Sequence, residues 1–305
     1  MKRFNKKIVL FFIPLLLLLG LMEYALRTIP NDYRYKKEYL DKHSEEIQTL
    51  ILGSSHTFYG LNPEYFPNNT FNASHVSQSL NYDFAILKKY SFSYLQTVII
   101  PISYFTFFEQ LGTAMDSWRE KNYVLYYDIT ISDRFSNHWE VLSNDLFVNV
   151  RRIYLYYVKK QPNQTTDRLG WGNIYRSENQ QDLQKTGKVN ASLNTKDLSS
   201  ESICQLYDEN SMILRSMIEY CQGRNIQVVL LTPPAYETYR NNLNESQIRK
   251  TVDTAVEISG EYSNCLYLNL LDDRHFQKED FYDADHLNEI GAEKLSKMMV
   301  EELKF

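Results

Sequence analysis

Two short runs hold residue types that could together perform nucleophilic chemistry. Gly53-Ser54-Ser55-His56 stands near the start of the chain, and Phe281-Tyr282-Asp283-Ala284-Asp285-His286-Leu287-Asn288 near its end. A serine hydroxyl is a weak nucleophile until a base removes its proton, and the base must be oriented by a third group. Asp283 and His286 are spaced so that a turn can set the carboxylate against one imidazole nitrogen while the other nitrogen faces a serine. Ser54 competes with Ser55 as nucleophile. Asp285 competes with Asp283, but its adjacency to His286 gives poor ring geometry. Taken singly, each run also reads blandly: Gly-Ser-Ser as a turn, and Asp-x-x-His as the cap of a helix.

The elements around these runs decide whether they can meet. Gln48–Gly53 reads as a short buried strand, Thr70–Asn72 as a second and Thr97–Ile102 as a third, ended by Pro101. Ile226–Thr232 reads as a fourth strand closed by Pro233-Pro234, and Cys265–Leu271 as a fifth. Helical spacing covers Ser79–Tyr90, 201–222 with Gly223 as its stop, Asn244–Ser259, and Asn288–Leu303 with Asn288 as N-cap. Strands alternating with helices imply an α/β domain with a mainly parallel sheet of about five strands and helices on both faces. Chemistry in such sheets sits beyond the carboxyl ends of the strands. That rule selects Ser54-Ser55-His56, Ser103-Tyr104, Pro233-Pro234-Ala235 and the segment after the fifth strand. A serine at a helix start also has backbone N–H groups beside it that can hold an oxyanion.

With these residues in this order, the chain resembles the SGNH/GDSL hydrolase superfamily, in particular its membrane-anchored branch linked to cell-envelope polysaccharide O-acylation. That family carries its nucleophile in a Gly-Asp-Ser or Gly-Ser-Ser block after the first strand and an Asp-x-x-His block near the C-terminus. The resemblance covers about 46–105 and 201–305. It implies a three-layer α/β/α flavodoxin-like fold, with Ser55 as nucleophile, His286 as base and Asp283 as its orienting acid. The family's second block supplies an oxyanion N–H from a glycine; here Ser77 stands there, within Phe71-Asn72-Ala73-Ser74-His75-Val76-Ser77-Gln78-Ser79. Its third block presents an asparagine, where this chain has Ile102-Ser103-Tyr104-Phe105. The oxyanion hole is therefore expected from Ser55, Ser77 and Ser103. His56, Tyr104 and Trp171 are candidate substrate contacts. His75 reads as an ordinary polar residue.

The 305 residues, 43% hydrophobic and 23% charged, suffice for one large domain, or one carrying an insertion. Residues 48–305 are expected to form it, with an aromatic, Asn/Gln/Ser-rich insertion or cap at about 109–200. That insertion holds Trp118, Trp139 and Trp171, whose rings could stack on sugars or simply pack the cap. The same two readings, core filler or wet groove, apply to the 24 tyrosines. The net charge of -5 and scattered Lys and Arg exclude a nucleic-acid binder. No Gly-rich loop suits a nucleotide, and no His/Asp/Glu set has metal-ligand spacing, so no cofactor is expected. Cys204, Cys221 and Cys265 are an odd count outside any zinc pattern and read as ordinary residues. Asn-x-Ser/Thr triplets, as at Asn68, follow from asparagine richness.

Lys2, Arg3, Lys6 and Lys7 precede an apolar run from Ile8 to Met22. That run is short for a spanning helix, which needs about 17–25 residues, but extends through Leu26 if Glu23 sits at the far interface. The cations place residues 1–7 in the cytoplasm, 8–26 as a transmembrane anchor, and 27–47 as a tether to a domain outside the membrane. A cleaved signal peptide is the competing reading, although no small-x-small site follows the run.

The expected function is ester cleavage or O-acyl transfer, with acetyl as the expected acyl group, through an acyl-Ser55 intermediate. The substrate would be an acylated glycan of the envelope or an exported polymer. The alternative is a catalytically degenerate accessory or binding protein working with envelope-assembly partner proteins.

Overall fold

The computed structural model describes residues 2–304, and for 2–11 the backbone alone. In chain order the main elements are α1 (Lys2–Thr28), α2 (Asp32–His43), β1 (Thr49–Ile51), α3 (Ser55–Gly60), β2 (Thr70–Asn72), α4 (Leu80–Lys89) and β3 (Thr97–Pro101). There follow α5 (Leu146–Ile153), α6 (Leu183–Asn194), α7 (Glu201–Gln222), β4 (Gln227–Thr232), α8 (Glu245–Glu261), β5 (Cys265–Asn269) and α9 (Glu289–Leu303). The chain divides into two compact units: Met1–Lys37 with Met115–Thr165, and Glu38–Ala114 with Thr166–Phe305.

The second unit holds one five-stranded sheet in the order β2-β1-β3-β4-β5, every pair parallel. Its strands are near-continuous apolar runs because a parallel sheet is buried on both faces. Ile51, Ile99, Val229 and Leu231 point to one face and pack with Leu295 and Met299 of α9. Alternation sends Leu50, Val98, Val228 and Leu230 to the other face, and all four are fully buried. Each of the five strands lies where the apolar runs put it, with ends shifted by a residue or two. Asn288 caps α9, accepting from the N–H groups of Ile290 and Gly291 at 2.9 and 3.1 Å. This is an α/β fold in which β1 lies between β2 and β3, so the strand order reverses direction beside β1, the position where such sheets open a crevice.

The first unit corrects two boundaries. The segment expected as a tether, 27–47, contains α2, with Tyr33, Lys36 and Leu40 buried. The expected cap at 109–200 is not one element: 115–165 belongs with the N-terminal segment, and 166–200 with the sheet. The contacts behind this are long-range. The Glu23 carboxylate accepts from the N–H groups of Glu140 and Val141 at 3.1 and 2.9 Å, and Asp32 accepts from the N–H and hydroxyl of Thr165 at 2.7 and 2.6 Å. Buried Glu140 in turn binds Lys121, Tyr126 and Arg152.

The expected anchor, 8–26, lies within α1, but the side chains of 8–11 and the expected cytoplasmic segment 1–7 fall outside those described. Among the described residues no single helix is long and apolar enough to cross a membrane. Phe12–Thr28 and Asp32–Glu46, bent by 55°, reach that length and composition only as a pair. The three cysteines are free thiols, and burial pushes Cys221 and Cys265 up to about 12.

Candidate active site

Strand β1 ends at Ile51, and Gly53 turns the chain with φ +108°, a conformation that favours glycine. A Cβ there would meet the Pro101 ring at 2.1 Å, so this close approach of β1 and β3 also requires glycine. Ser54 is extended and precedes α3, which puts Ser55 at the first helical position. Its N–H belongs to the group that a helix start leaves without an intrahelical partner.

The second run arrives on a loop after β5. Phe281 and Leu287 pair across this loop, and the Tyr282 N–H donates to the His286 carbonyl at 2.9 Å. The Asp283 carboxylate fixes its own turn by accepting from the N–H groups of Asp285 and His286 at 3.1 and 2.9 Å. The same carboxylate accepts from Nδ1 of His286, at 2.9 Å to Oδ1 and 3.2 Å to Oδ2. That contact selects the tautomer in which Nε2 is the acceptor, and Nε2 lies 2.8 Å from Ser55 Oγ. Ser55, His286 and Asp283 thus form a continuous relay, although serine and histidine are 231 positions apart in sequence.

A second carboxylate stands beside this relay. Asp285 Oδ1 is 3.5 Å from His286 Nδ1 and accepts from Asn190 Nδ2 at 2.6 Å. Its Oδ2 is 3.6 Å from Nε2 of His56, whose ring stacks on His286 at 4.7 Å. Burial pushes the His56 pKa below its ordinary range despite Asp285, so the ring is neutral at pH 7. With Nε2–H facing Asp285, Nδ1 accepts from the Ser103 hydroxyl at 2.9 Å. Burial opposes charge on His286, but Asp283 and Asp285 outweigh it and hold its pKa well above 6.5. Burial likewise opposes charge on Asp285, and the neighbouring imidazoles overcome it, keeping the carboxyl ionised. The His286 ring is also met edge-on by Tyr175, which is stacked between Tyr59 and Tyr282 at 3.7 and 3.8 Å. His56, Asp285 and His286 bring ligand atoms within 4.8 Å of one another, but a metal held by His286 would displace Ser55 or Asp283.

The relay opens into a cleft of about 230 Å³ at the carboxyl ends of β1, β2 and β3. Ser55, His56, Ser77 and His286 line it, together with Phe105, Gln110 and Asn194. Ser77 stands where a glycine is expected and adopts φ +60°, the left-handed conformation a glycine would take freely. Ser77→Gly should therefore keep activity and raise stability by about 0.5–1 kcal/mol, read from thermal melts. Ser77→Val should lower both.

Three expected contacts lie elsewhere. Both donors of Ser103 are engaged, the N–H with Thr106 Oγ1 at 2.8 Å and the hydroxyl with His56, so Ser103 is not an oxyanion donor but a partner of His56. Tyr104 is buried and its hydroxyl binds Thr195 and the Asn244 N–H, which ties loops together. Trp171 is buried and its indole N–H donates to the Tyr59 carbonyl at 2.7 Å, so its face packs the loop onto α3 and offers none to a glycan.

One residue that sequence reasoning passed over braces the cleft. Asp83, in the first turn of α4, accepts on one oxygen from the Gly53 N–H at 2.8 Å and from Gln78 Nε2 at 2.6 Å. It thereby ties the nucleophile turn to the Ser77 turn. No local signal marks it, because an acid in a first helical turn is ordinary. Burial raises its pKa from 3.8 to about 7, against those two hydrogen bonds. Between about pH 4 and about 7 the folded chain then keeps a proton that the unfolded chain has released. Stability should fall as pH rises through this window, by up to about 4 kcal/mol at ~1.4 kcal/mol per pH unit. Urea denaturation across the range checks this: Asp83→Asn should flatten the slope, and an unchanged slope would contradict it.

No known family model and no curated protein matches the chain. Among solved structures it is similar to a Streptococcus pneumonia protein provisionally described as a platelet activating factor. The TM-score is 0.45 at 12% identity, covering 97% of this chain and 99% of that one. It is also similar to a Bacteroides fragilis protein provisionally described as an acylhydrolase, with a TM-score of 0.41 at 9% identity, covering 89% and 94%. At these scores neither likeness carries a functional inference.

Proposed function

We propose that this protein is an SGNH-type serine esterase or O-acyltransferase that works through an acyl-Ser55 intermediate. The observation that carries the reading is the relay from Ser55 Oγ to His286 Nε2 to Asp283 at the mouth of a cleft. His286 takes the Ser55 proton as the oxygen attacks the acyl carbonyl, then gives it to the departing alkoxide. In the second half, His286 deprotonates water or an acceptor hydroxyl, which attacks the acyl-enzyme and releases Ser55. The backbone N–H groups of Ser55 and of the Ser77 turn would face the developing oxyanion.

The cleft lining among the described residues contains no Lys or Arg, but it does contain Glu109 and Asp285 with several carboxamides. An uncharged, hydroxyl-rich ester suits such a surface better than a phosphorylated or carboxylated one. An acetylated glycan is the substrate class we favour, and the cationic terminus followed by α1 supports fixing the chain to a membrane where an envelope polymer is made.

The direct test is labelling with a fluorophosphonate probe, with the modified residue mapped by mass spectrometry. Attachment at Ser55 is expected. Folded protein that stays unlabelled would instead favour a non-catalytic binding role. Acetate release measured beside acetyl transfer to a glycan acceptor separates esterase from transferase.

A further inference from the structure

Helix α5 and the π-helical turn Tyr154–Val158 that continues it are built inside out. The polar side faces inward: Asn149 is fully buried and donates to the carbonyls of Val141 and Asn144, and Arg152 pairs with buried Glu140 at 2.6 Å. The apolar side faces outward: Phe147 is 75% exposed and Leu146 64%, and Val150, Tyr154 and Val158 are exposed with them. Their spacing of one, three and four residues lines them up as one stripe. In water this polarity is unfavourable at every position of the stripe, whereas against hydrocarbon it is favourable at each.

The surroundings specify the occupant. α5 packs on α1 in the same unit, and the Tyr157 hydroxyl donates to the Ala25 carbonyl at 3.0 Å. α1 itself exposes Leu16, Leu17 and Leu18. Arg151, Lys159 and Lys160 are exposed on or just beyond the stripe, and the half-exposed Trp139 lies in the same unit. Cations and an indole around an apolar stripe suit the headgroup boundary of an anionic bilayer. A second copy docked on this face would instead set like charges together.

We propose that the exposed face of α5 inserts into an anionic lipid bilayer beside α1, as a second membrane contact. This rests on the anchoring of α1 proposed above. It gives part of the segment first read as an insertion or cap the role of a membrane-surface contact.

The test uses the full chain with Cys204→Ser and Phe147→Cys, labelled with nitrobenzoxadiazole. It is reconstituted in vesicles of equal parts phosphatidylethanolamine and phosphatidylglycerol. The emission should shift to the blue, rise several-fold and be quenched by nitroxide-bearing lipids. A label on native Cys204, exposed in the other unit, should show none of this. Val158→Cys in the same background guards against a local defect at 147. Flotation of the same sample reports anchoring separately. A sample that floats while its label at 147 and 158 stays unquenched overturns the docking of α5 and leaves the anchor standing. A sample that does not float overturns both. Quenching equally strong in phosphatidylcholine vesicles overturns the role given to Arg151, Lys159 and Lys160.

Discussion

Replacing Ser55 by alanine should lower kcat for ester turnover by about 10⁴–10⁶-fold while leaving the fold intact. The substitution removes one oxygen whose partner is His286 Nε2 at 2.8 Å. It deletes no part of the core and no helix cap, since the cap position belongs to Ser54. Stability should therefore change by less than about 1 kcal/mol, and a thermal melt beside the rate measurement separates lost chemistry from lost structure. Ser54→Ala is the informative companion. The Ser54 hydroxyl lies 3.5 Å from His56 Nδ1 and makes no contact with His286, so its loss should cost less than about tenfold, in line with a weak neutral hydrogen bond. If Ser54→Ala proves the inactive variant, or if Ser55→Ala retains full rate, the assignment of the nucleophile is wrong.

Asp283→Asn should cost about 10⁴-fold in kcat, and Asp285→Asn about 10–10². Both carboxylates flank His286, but Asp283 makes the short hydrogen bond to Nδ1, at 2.9 Å, while Asp285 stands at 3.5 Å. An asparagine at 283 can present its amide nitrogen to the ring and reverse the tautomer, so Nε2 no longer accepts from Ser55. Asp285 acts through its charge, at 3.5 Å. The pH profile distinguishes the two. A general base must be neutral, so activity rises with pH through the His286 pKa, which the two carboxylates hold above 6.5. Other groups face this ring: His56 stacks on it, Tyr59 and Tyr175 meet it edge-on, and Ser55 binds it. The charges that raise the His286 pKa come from the two carboxylates. Removing the charge at 285 should move the acid limb of kcat/KM to lower pH. A rate loss with an unmoved limb would make Asp285 structural.

Much of this was legible in the sequence because it is carried by local pattern. Ile226–Thr232 reads as a buried strand from its apolar run, and Asn288 reads as a cap from the helix that follows it. The α/β alternation then predicts a parallel sheet, and the rule for such sheets points to the strand ends where Ser55 stands. The pairing of Ser55 with His286 was inferable as chemistry, since each residue type needs the other.

What could not be read there depends on contacts between distant segments. The Asp83 brace joins two turns from a helix whose own pattern gives no hint of it. Ser103 looked like an oxyanion donor because its position after β3 is right, yet its hydroxyl is drawn to His56, a residue buried from a different strand end. Tyr104 and Trp171 looked like binding residues by type, and burial gave them packing roles. The inverted polarity of α5 is the clearest case. Its apolar residues repeat at helical spacing, and periodicity says only that they share a face. Whether that face turns inward or outward was decided by Glu140, held by Lys121, Tyr126 and Arg152, which drew the polar side of the helix into the interior. The sequence alone therefore determined the sheet and the chemical identity of the relay, because periodicity and residue type are local properties. The tertiary structure decided which polar groups face the cleft and which apolar groups face out, because burial is a property of the whole chain.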